Sequence, residues 1–173
     1  MKLAVISDIH DNIHNLHIAL ELIKKEKCDK IICLGDFINP GIVKILAYFD
    51  IPTHAIWGNN DGDKVTIMRI VLSKKSHLTM STETFDTIEI DNKHLFLTHN
   101  PLLAKPMAKS GDFDAVFYGH NHEKNIENIG KCLLLNPGEI SAHKTDKATL
   151  AFYNTKTNEA EIIILKGTIS VRN

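Results

Sequence analysis

The sequence predicts an α/β fold in which two sheets pack face to face with helices outside. Three observations lead there. Short, continuously apolar runs such as Leu3–Ile6 and Ile31–Leu34 read as strands buried on both faces, as in a parallel sheet. From Leu3 to Leu72 these runs alternate with segments whose apolar residues recur at helical spacing. Beyond Leu72 the pattern becomes rich in strands and hairpin turns, so both halves must contribute to the sheets.

Leu3–Ile6 opens the chain as a strand. Leu16, Ala19, Leu20 and Ile23 then fall on one helical face, with Asn12 or Asn15 as N-cap. Ile31–Leu34 is the second strand. Pro40 suits the first turn of a helix carrying Ile42, Val43, Ile45, Leu46 and Phe49. His54–Trp57 is a third strand and Asp63–Leu72 a third helix. This rhythm implies parallel strands joined by crossovers. The polar stretch around His77 carries no signal. Phe85–Ile90 alternates in the strand period, turns at Asp91-Asn92 and returns as Lys93–Thr98. Leu102–Lys109 reads as a short helix and Ala115–Tyr118 as a buried strand. Lys124–Ile129 with Cys132–Leu135, and Thr149–Tyr153 with Glu159–Leu165, read as hairpins.

With 173 residues, 43% of them hydrophobic and 24% charged, the chain is expected to form one domain spanning 1–173 with a core that needs no staples. Twenty basic residues against 21 acidic ones leave a net charge of −1. No basic surplus is available to track a polyanion, so no long nucleic acid is expected as a partner. No apolar run is long enough for a membrane span, and the N-terminus lacks a signal-peptide pattern. Three cysteines without C-x-x-C spacing make neither a disulfide framework nor a zinc knuckle. A cytoplasmic protein is expected, with homo-oligomerisation left open.

The informative residues follow the buried strands. Leu3–Ile6 runs into Ser7-Asp8-Ile9-His10, and Ile31–Leu34 into Gly35-Asp36. His54–Trp57 runs into Gly58-Asn59-Asn60-Asp61, Leu95–Leu97 into Thr98-His99-Asn100, and Ala115–Tyr118 into Gly119-His120-Asn121-His122. Each has a plain structural explanation when taken alone: a capping turn, a Gly-Asp turn, a hydrogen-bonded histidine. Five such endings together favour one site, because the carboxyl ends of parallel strands converge on a ligand crevice. The set Asp8, His10, Asp36, Asn59, His99, His120 and His122 offers carboxylates, an amide and imidazoles but no thiolate. That shell suits Mn²⁺, Fe²⁺, Co²⁺, Ni²⁺ or Zn²⁺, and seven ligands suit two ions rather than one. Manganese is expected first, and Asp36 is the natural bridge.

Asp8-x-His10, Gly35-Asp36, Gly58-Asn59-x-Asp61, Thr98-His99 and Gly119-His120-x-His122 resemble, in order, the five motif blocks of calcineurin-like metallophosphoesterases. Together with Asn136-Pro137-Gly138 and the short length, they are similar to the small bacterial and archaeal phosphodiesterases of that family. The resemblance implies a four-layer αββα sandwich with mixed sheets and a dinuclear site. It implies one metal on Asp8, His10, Asp36 and His122, and another on Asp36, Asn59, His99 and His120. It also implies that Asp36, Asn59 and His99 serve catalysis, with a metal-bridging hydroxide as the nucleophile.

The departures are as informative. The family's protein phosphatases carry a histidine directly after the block-three asparagine, as a candidate general acid; here it is Asn60, whose amide does not titrate. Phe37-Ile38-Asn39 follows Asp36, where those phosphatases place an arginine. Asn100, where small relatives often carry glycine, is expected to cap the next turn. Two divalent ions, two carboxylates and a hydroxide leave one net positive charge, which matches a monoanionic diester. A small-molecule phosphodiester is therefore the expected substrate. A phosphomonoesterase or nucleotidase is the second reading, and a metal-free protein-binding scaffold ranks below both. Asp61 is expected to cap a helix or to orient a ligand imidazole. His143, in a polar loop, stays outside the expected site.

Overall fold

The computed structural model describes residues 1–170; residues 171–173, the end of the expected span 1–173, lie outside the described residues. The first half runs β1 (Lys2–Ile6), α1 (Ile13–Lys25), β2 (Lys30–Cys33), α2 (Pro40–Ala47), β3 (Thr53–Ala55), α3 (Lys64–Val71) and β4 (Leu78–Met80). The second runs β5 (Phe85–Ile90), β6 (Lys93–Thr98), α4 (Pro101–Ser110), β7 (Ala115–Tyr118), β8 (Asn125–Ile129), β9 (Cys132–Asn136), β10 (Thr149–Asn154) and β11 (Glu159–Ile164).

These strands form a six-stranded sheet in the order β11-β10-β1-β2-β3-β4 and a five-stranded sheet in the order β5-β6-β7-β9-β8. Strands β1 to β4 are mutually parallel, as are β6, β7 and β9, while β5, β8, β10 and β11 pair antiparallel. Both sheets are mixed, and the last hairpin returns to complete the first.

Alternation along the strands builds three apolar layers. Ala4, Ile6, Ile31 and Cys33 point outward from the first sheet and pack on Leu16, Leu20 and Ile23 of α1 and Ile42 and Leu46 of α2. Leu3, Val5, Ile32 and Leu34 point the other way and meet Leu95, Leu97, Phe117, Leu133 and Leu135 of the second sheet. On that sheet's far face, Phe96, Val116 and Leu134 pack on Ala104 and Ala108 of α4. Three apolar fillings between four layers make the αββα sandwich. Each fully buried aliphatic side chain contributes roughly 1.5–3 kcal/mol.

The helix starts are set by side chains. Asn12 caps α1 by accepting from Asn15 N at 3.0 Å. Asn39 caps α2, with Pro40 in the first turn. Asp63 caps α3, and Asn100 caps α4 by accepting from Leu102 N at 2.9 Å. The cap expected of Asn100 is therefore present. Helix α2 stops at Ala47, short of the expected Phe49, and β3 stops at Ala55 because Trp57 N donates instead to Glu83 O at 3.1 Å. Strand β4, absent from the sequence reading, exists through its parallel pairing with β3. Among the described residues, no helix is long and apolar enough to cross a membrane, and Cys28, Cys33 and Cys132 are buried and unpaired.

Candidate metal centre

The parallel strands of both sheets end at one edge of the sandwich, and the seven expected residues meet there. Asp8 and His10 follow β1, Asp36 follows β2, Asn59 follows β3, His99 follows β6, and His120 and His122 follow β7. Asp8, His10, Asp36, His120 and His122 all adopt positive φ. Asp, Asn and His tolerate that region better than other side chains do, so residue type serves loop shape as well as ligation. A Cβ on Gly58 would lie 2.1 Å from Asp36 Oδ1, and one on Gly119 would lie 2.2 Å from Ser7 Oγ. Gly58 leaves room for the Asp36 carboxylate, and Gly119 for the Ser7 hydroxyl that donates to Asp8.

Asp36 stands at the centre. Its Oδ2 lies 3.4 Å from His10 Nε2 and 3.5 Å from His99 Nε2. Asn60 donates to the same carboxylate twice, from N at 2.9 Å to Oδ1 and from Nδ2 at 2.7 Å to Oδ2. The residue in the general-acid position thus spends its amide on the central carboxylate.

Hydrogen bonding fixes two imidazoles. His99 Nδ1 lies 2.7 Å from Leu34 O, which can only accept, so Nδ1 carries the proton and Nε2 presents a lone pair. That lone pair faces Asn59 Oδ1 at 2.9 Å and His120 Nδ1 at 3.3 Å, and His120 Nδ1 lies 2.7 Å from the same amide oxygen. His122 Nδ1 lies 2.6 Å from Glu139 Oε2, which leaves its Nε2 lone pair 3.4 Å from Asp8 Oδ1. Asp8 Oδ2 is satisfied by Ser7 Oγ at 2.6 Å and His120 N at 3.0 Å. Asp8 Oδ1 and His10 Nε2 are buried with no hydrogen-bond partner.

Two partnerless buried atoms, Asp8 Oδ1 and His10 Nε2, therefore lie beside Asp36, whose Oδ2 also faces His99. Turning the Asn59 amide would give His99 and His120 a donor, but would leave Asp8 Oδ1 and His10 Nε2 unserved. A buried acceptor without a partner costs about 1–3 kcal/mol, which a divalent cation offsets. The groups Asp8, His10, His122 and Asp8, Asp36, His99 each place their ligand atoms within 4.8 Å of one another. The donor set fits a divalent ion held by oxygen and imidazole nitrogen.

Titration follows the same geometry. Burial pushes the Asp8 carboxyl up, but His10, His122 and His99 outweigh it and bring it below its ordinary value. Burial and then His99 push the His120 imidazole down, and the Lys144 ammonium adds to that. Burial raises the Asp61 carboxyl.

Two residues were misjudged or missed. Asp61 neither caps a helix nor touches an imidazole; it accepts from Gly58 N at 2.6 Å, Ile38 N at 2.9 Å and Asp36 N at 3.2 Å. It ties the loop after β2 to the loop after β3. Glu139, fully buried, is the second. Besides His122, it accepts from Ser141 Oγ, His143 N at 2.9 Å, Lys144 N at 3.0 Å, and Thr145 N at 2.7 Å and Oγ1 at 2.8 Å. Burial pushes its carboxyl up, but these donors hold it far below the usual carboxylate range. The signal was available: Cys132–Leu135 is a sixth apolar run, ending in Asn136-Pro137-Gly138-Glu139. The His143 ring stacks near His10, with centroids 6.2 Å apart.

Residues 1–158 match the family model for the calcineurin-like phosphoesterase superfamily domain. The chain is 30% identical over 168 residues to phosphodiesterase MJ0936 of Methanocaldococcus jannaschii, covering 96% of this chain and 100% of that protein. The solved structure of a novel archaeal phosphodiesterase superposes with a TM-score of 0.84 at 30% identity, covering 95% of this chain and 100% of the other. The structure of YfcE, a phosphoesterase from E. coli, shares the fold with a TM-score of 0.67 at 22% identity, over 96% of this chain and 100% of that one.

Proposed function

The chain belongs to the calcineurin-like phosphoesterase superfamily, and on that premise we propose that it is a metal-dependent phosphodiesterase acting on small phosphodiesters. The observation that carries the reading is a pair of buried, partnerless atoms, Asp8 Oδ1 and His10 Nε2, beside Asp36, whose carboxylate also faces His99. Asp8, His10, Asp36 and His122 would hold one divalent ion and Asp36, Asn59, His99 and His120 the other, with Mn²⁺ the first candidate. When bound, such ions supply Lewis-acid charge to a phosphoryl group and acidify water.

The chain's own groups do the rest. Leu34 O and Glu139 fix the tautomers of His99 and His122 so that Nε2 of each would be free to hold a cation. Asn60 orients Asp36, Asn59 positions the phosphate, and no group in the block-three acid position protonates the leaving oxygen. The ligand set itself carries no ammonium or guanidinium to balance a second negative charge on the substrate, which favours a diester. The unpaired, buried cysteines suit a reducing compartment, and we place the protein in the cytoplasm.

The test compares an aryl diester with the monoester of the same phenol, at one pH and saturating Mn²⁺. The diester should have the higher kcat/KM. A tenfold monoester advantage, about 1.4 kcal/mol, would reverse the assignment to a phosphomonoesterase. No turnover of either ester by metal-loaded protein would leave the scaffold reading.

A further inference from the structure

Two grooves adjoin the ligand cluster, and they differ in charge. One, of about 370 Å³, is lined by Asn59, Thr84, His99, Asn100, Leu102 and His120. It contains no carboxylate and no ammonium, and Leu102 stands 79% exposed at its rim. The other, of about 270 Å³, is lined by His122, Glu123, Lys124, Thr145, Lys147 and Thr149. Two ammonium groups against one carboxylate leave it cationic.

The second groove is held in fixed register with the catalytic edge. Glu139 binds His122 through Oε2 and, through the same carboxylate, the backbone N–H groups of His143, Lys144 and Thr145. The loop bearing Lys147 is thus hung on the group that seats a ligand imidazole. On the opposite wall, Thr149 Oγ1 donates to Pro137 O at 2.7 Å, and a Cβ on Gly138 would meet Lys124 Cβ at 3.5 Å. Lys2, Lys24, Lys93 and Lys105 each pair with a carboxylate. Among the described residues, Lys124 and Lys147 have no such partner, so their charge is available to a ligand.

Resting on the diesterase reading, we propose that the substrate is an unsymmetrical phosphodiester, one arm of which carries a further anionic group, phosphate or carboxylate, seated between Lys124 and Lys147. The other arm, uncharged, lies in the groove of Leu102 and Asn100. A point-charge contact from each of these exposed lysines would discriminate against a neutral arm and against an ammonium-bearing one.

Two probes separate this proposal from the diesterase reading. Calorimetry on the Mn²⁺-loaded protein compares thymidine 5′-monophosphate with thymidine 3′,5′-bisphosphate, which differ by one phosphate and need no turnover. The bisphosphate should bind at least tenfold tighter, and the Lys124→Gln/Lys147→Gln double variant should erase the difference. Kinetics then compare the 5′-p-nitrophenyl esters of the same two nucleotides, with bis(p-nitrophenyl) phosphate as the reference. The 3′-phosphate should lower KM at least tenfold with little change in kcat, and the double variant should keep the reference rate. Equal binding of the two nucleotides by the wild type, or a preference that persists in the double variant, overturns the groove assignment. Failure to cleave any of the three esters defeats the diesterase reading instead, and the calorimetric result still decides the groove.

Discussion

Glu139 Oε2 lies 2.6 Å from His122 Nδ1, and the same carboxylate gathers the backbone N–H groups of residues 143–145. One buried side chain therefore sets both the tautomer of an imidazole at the centre and the path of the loop beside it. A carboxylate behind a ligating histidine raises the basicity of the ring and locks its orientation.

On the proposed two-ion assignment, Glu139→Gln should weaken metal binding at the place that includes His122 by about tenfold to a hundredfold, and at the other place less. Titration calorimetry with Mn²⁺ reads both. Affinities equal to wild type at both places would remove the positioning role.

Asp36→Asn should deplete metal more than Asn59→Ala does. The carboxylate faces both imidazole groups, at 3.4 Å and 3.5 Å, whereas Asn59 faces only His99 and His120. Elemental analysis of metal-soaked variants should show both ions reduced in the first and one retained in the second, which should still lose turnover. Equal depletion would contradict the central position of Asp36.

Across aryl diesters, the rate should fall steeply as the pKa of the leaving phenol rises. The Asn60 amide neither titrates nor is free, since it donates to Asp36 at 2.7 Å. A flat dependence would require a proton donor other than Asn60.

Acid should weaken the fold partly through His54, whose Nε2 lies 3.0 Å from Asp86 Oδ2 across the two sheets. Burial pushes its imidazole below the ordinary value, although Asp86 opposes this. As pH falls, the unfolded chain takes up that proton first. The contribution is therefore whole above the ordinary value of about 6.5 and shrinks as pH falls through the folded value. With Mn²⁺ saturating, His54→Gln should flatten the dependence of Tm on pH between about 5 and 7. Parallel curves for wild type and variant would refute it.

The sequence disclosed most of the centre because each expected residue follows an apolar run. A strand buried on both faces announces its own end. The sandwich was legible for a related reason: Leu3 and Val5 against Ala4 and Ile6 show alternation within a wholly apolar run, which needs an apolar layer on each side. Strand β4 was not legible, because three residues with exposed Thr79 at the centre carry no period and the strand exists only through its pairing. Glu139 is hidden in the sequence because Cys132–Leu135 reads only as a hairpin arm, which it is against β8. Its parallel pairing with β7, which aims its end at the site, is a long-range fact. The role of Asp61 depends on how two loops turn their N–H groups inward, which side-chain identity does not encode.

The donors at the catalytic edge come from both sheets: Asp8, His10, Asp36 and Asn59 from the six-stranded one, His99, His120 and His122 from the five-stranded one. A cation held between them would act as a rivet through the two leaves of the sandwich. Prising the leaves apart and ejecting the ion would then be a single event, at a rim where the apolar filling gives way to charge. Amide protons of β1, β2, β6 and β7 should then exchange together, as one unit whose opening slows with every rise in free metal.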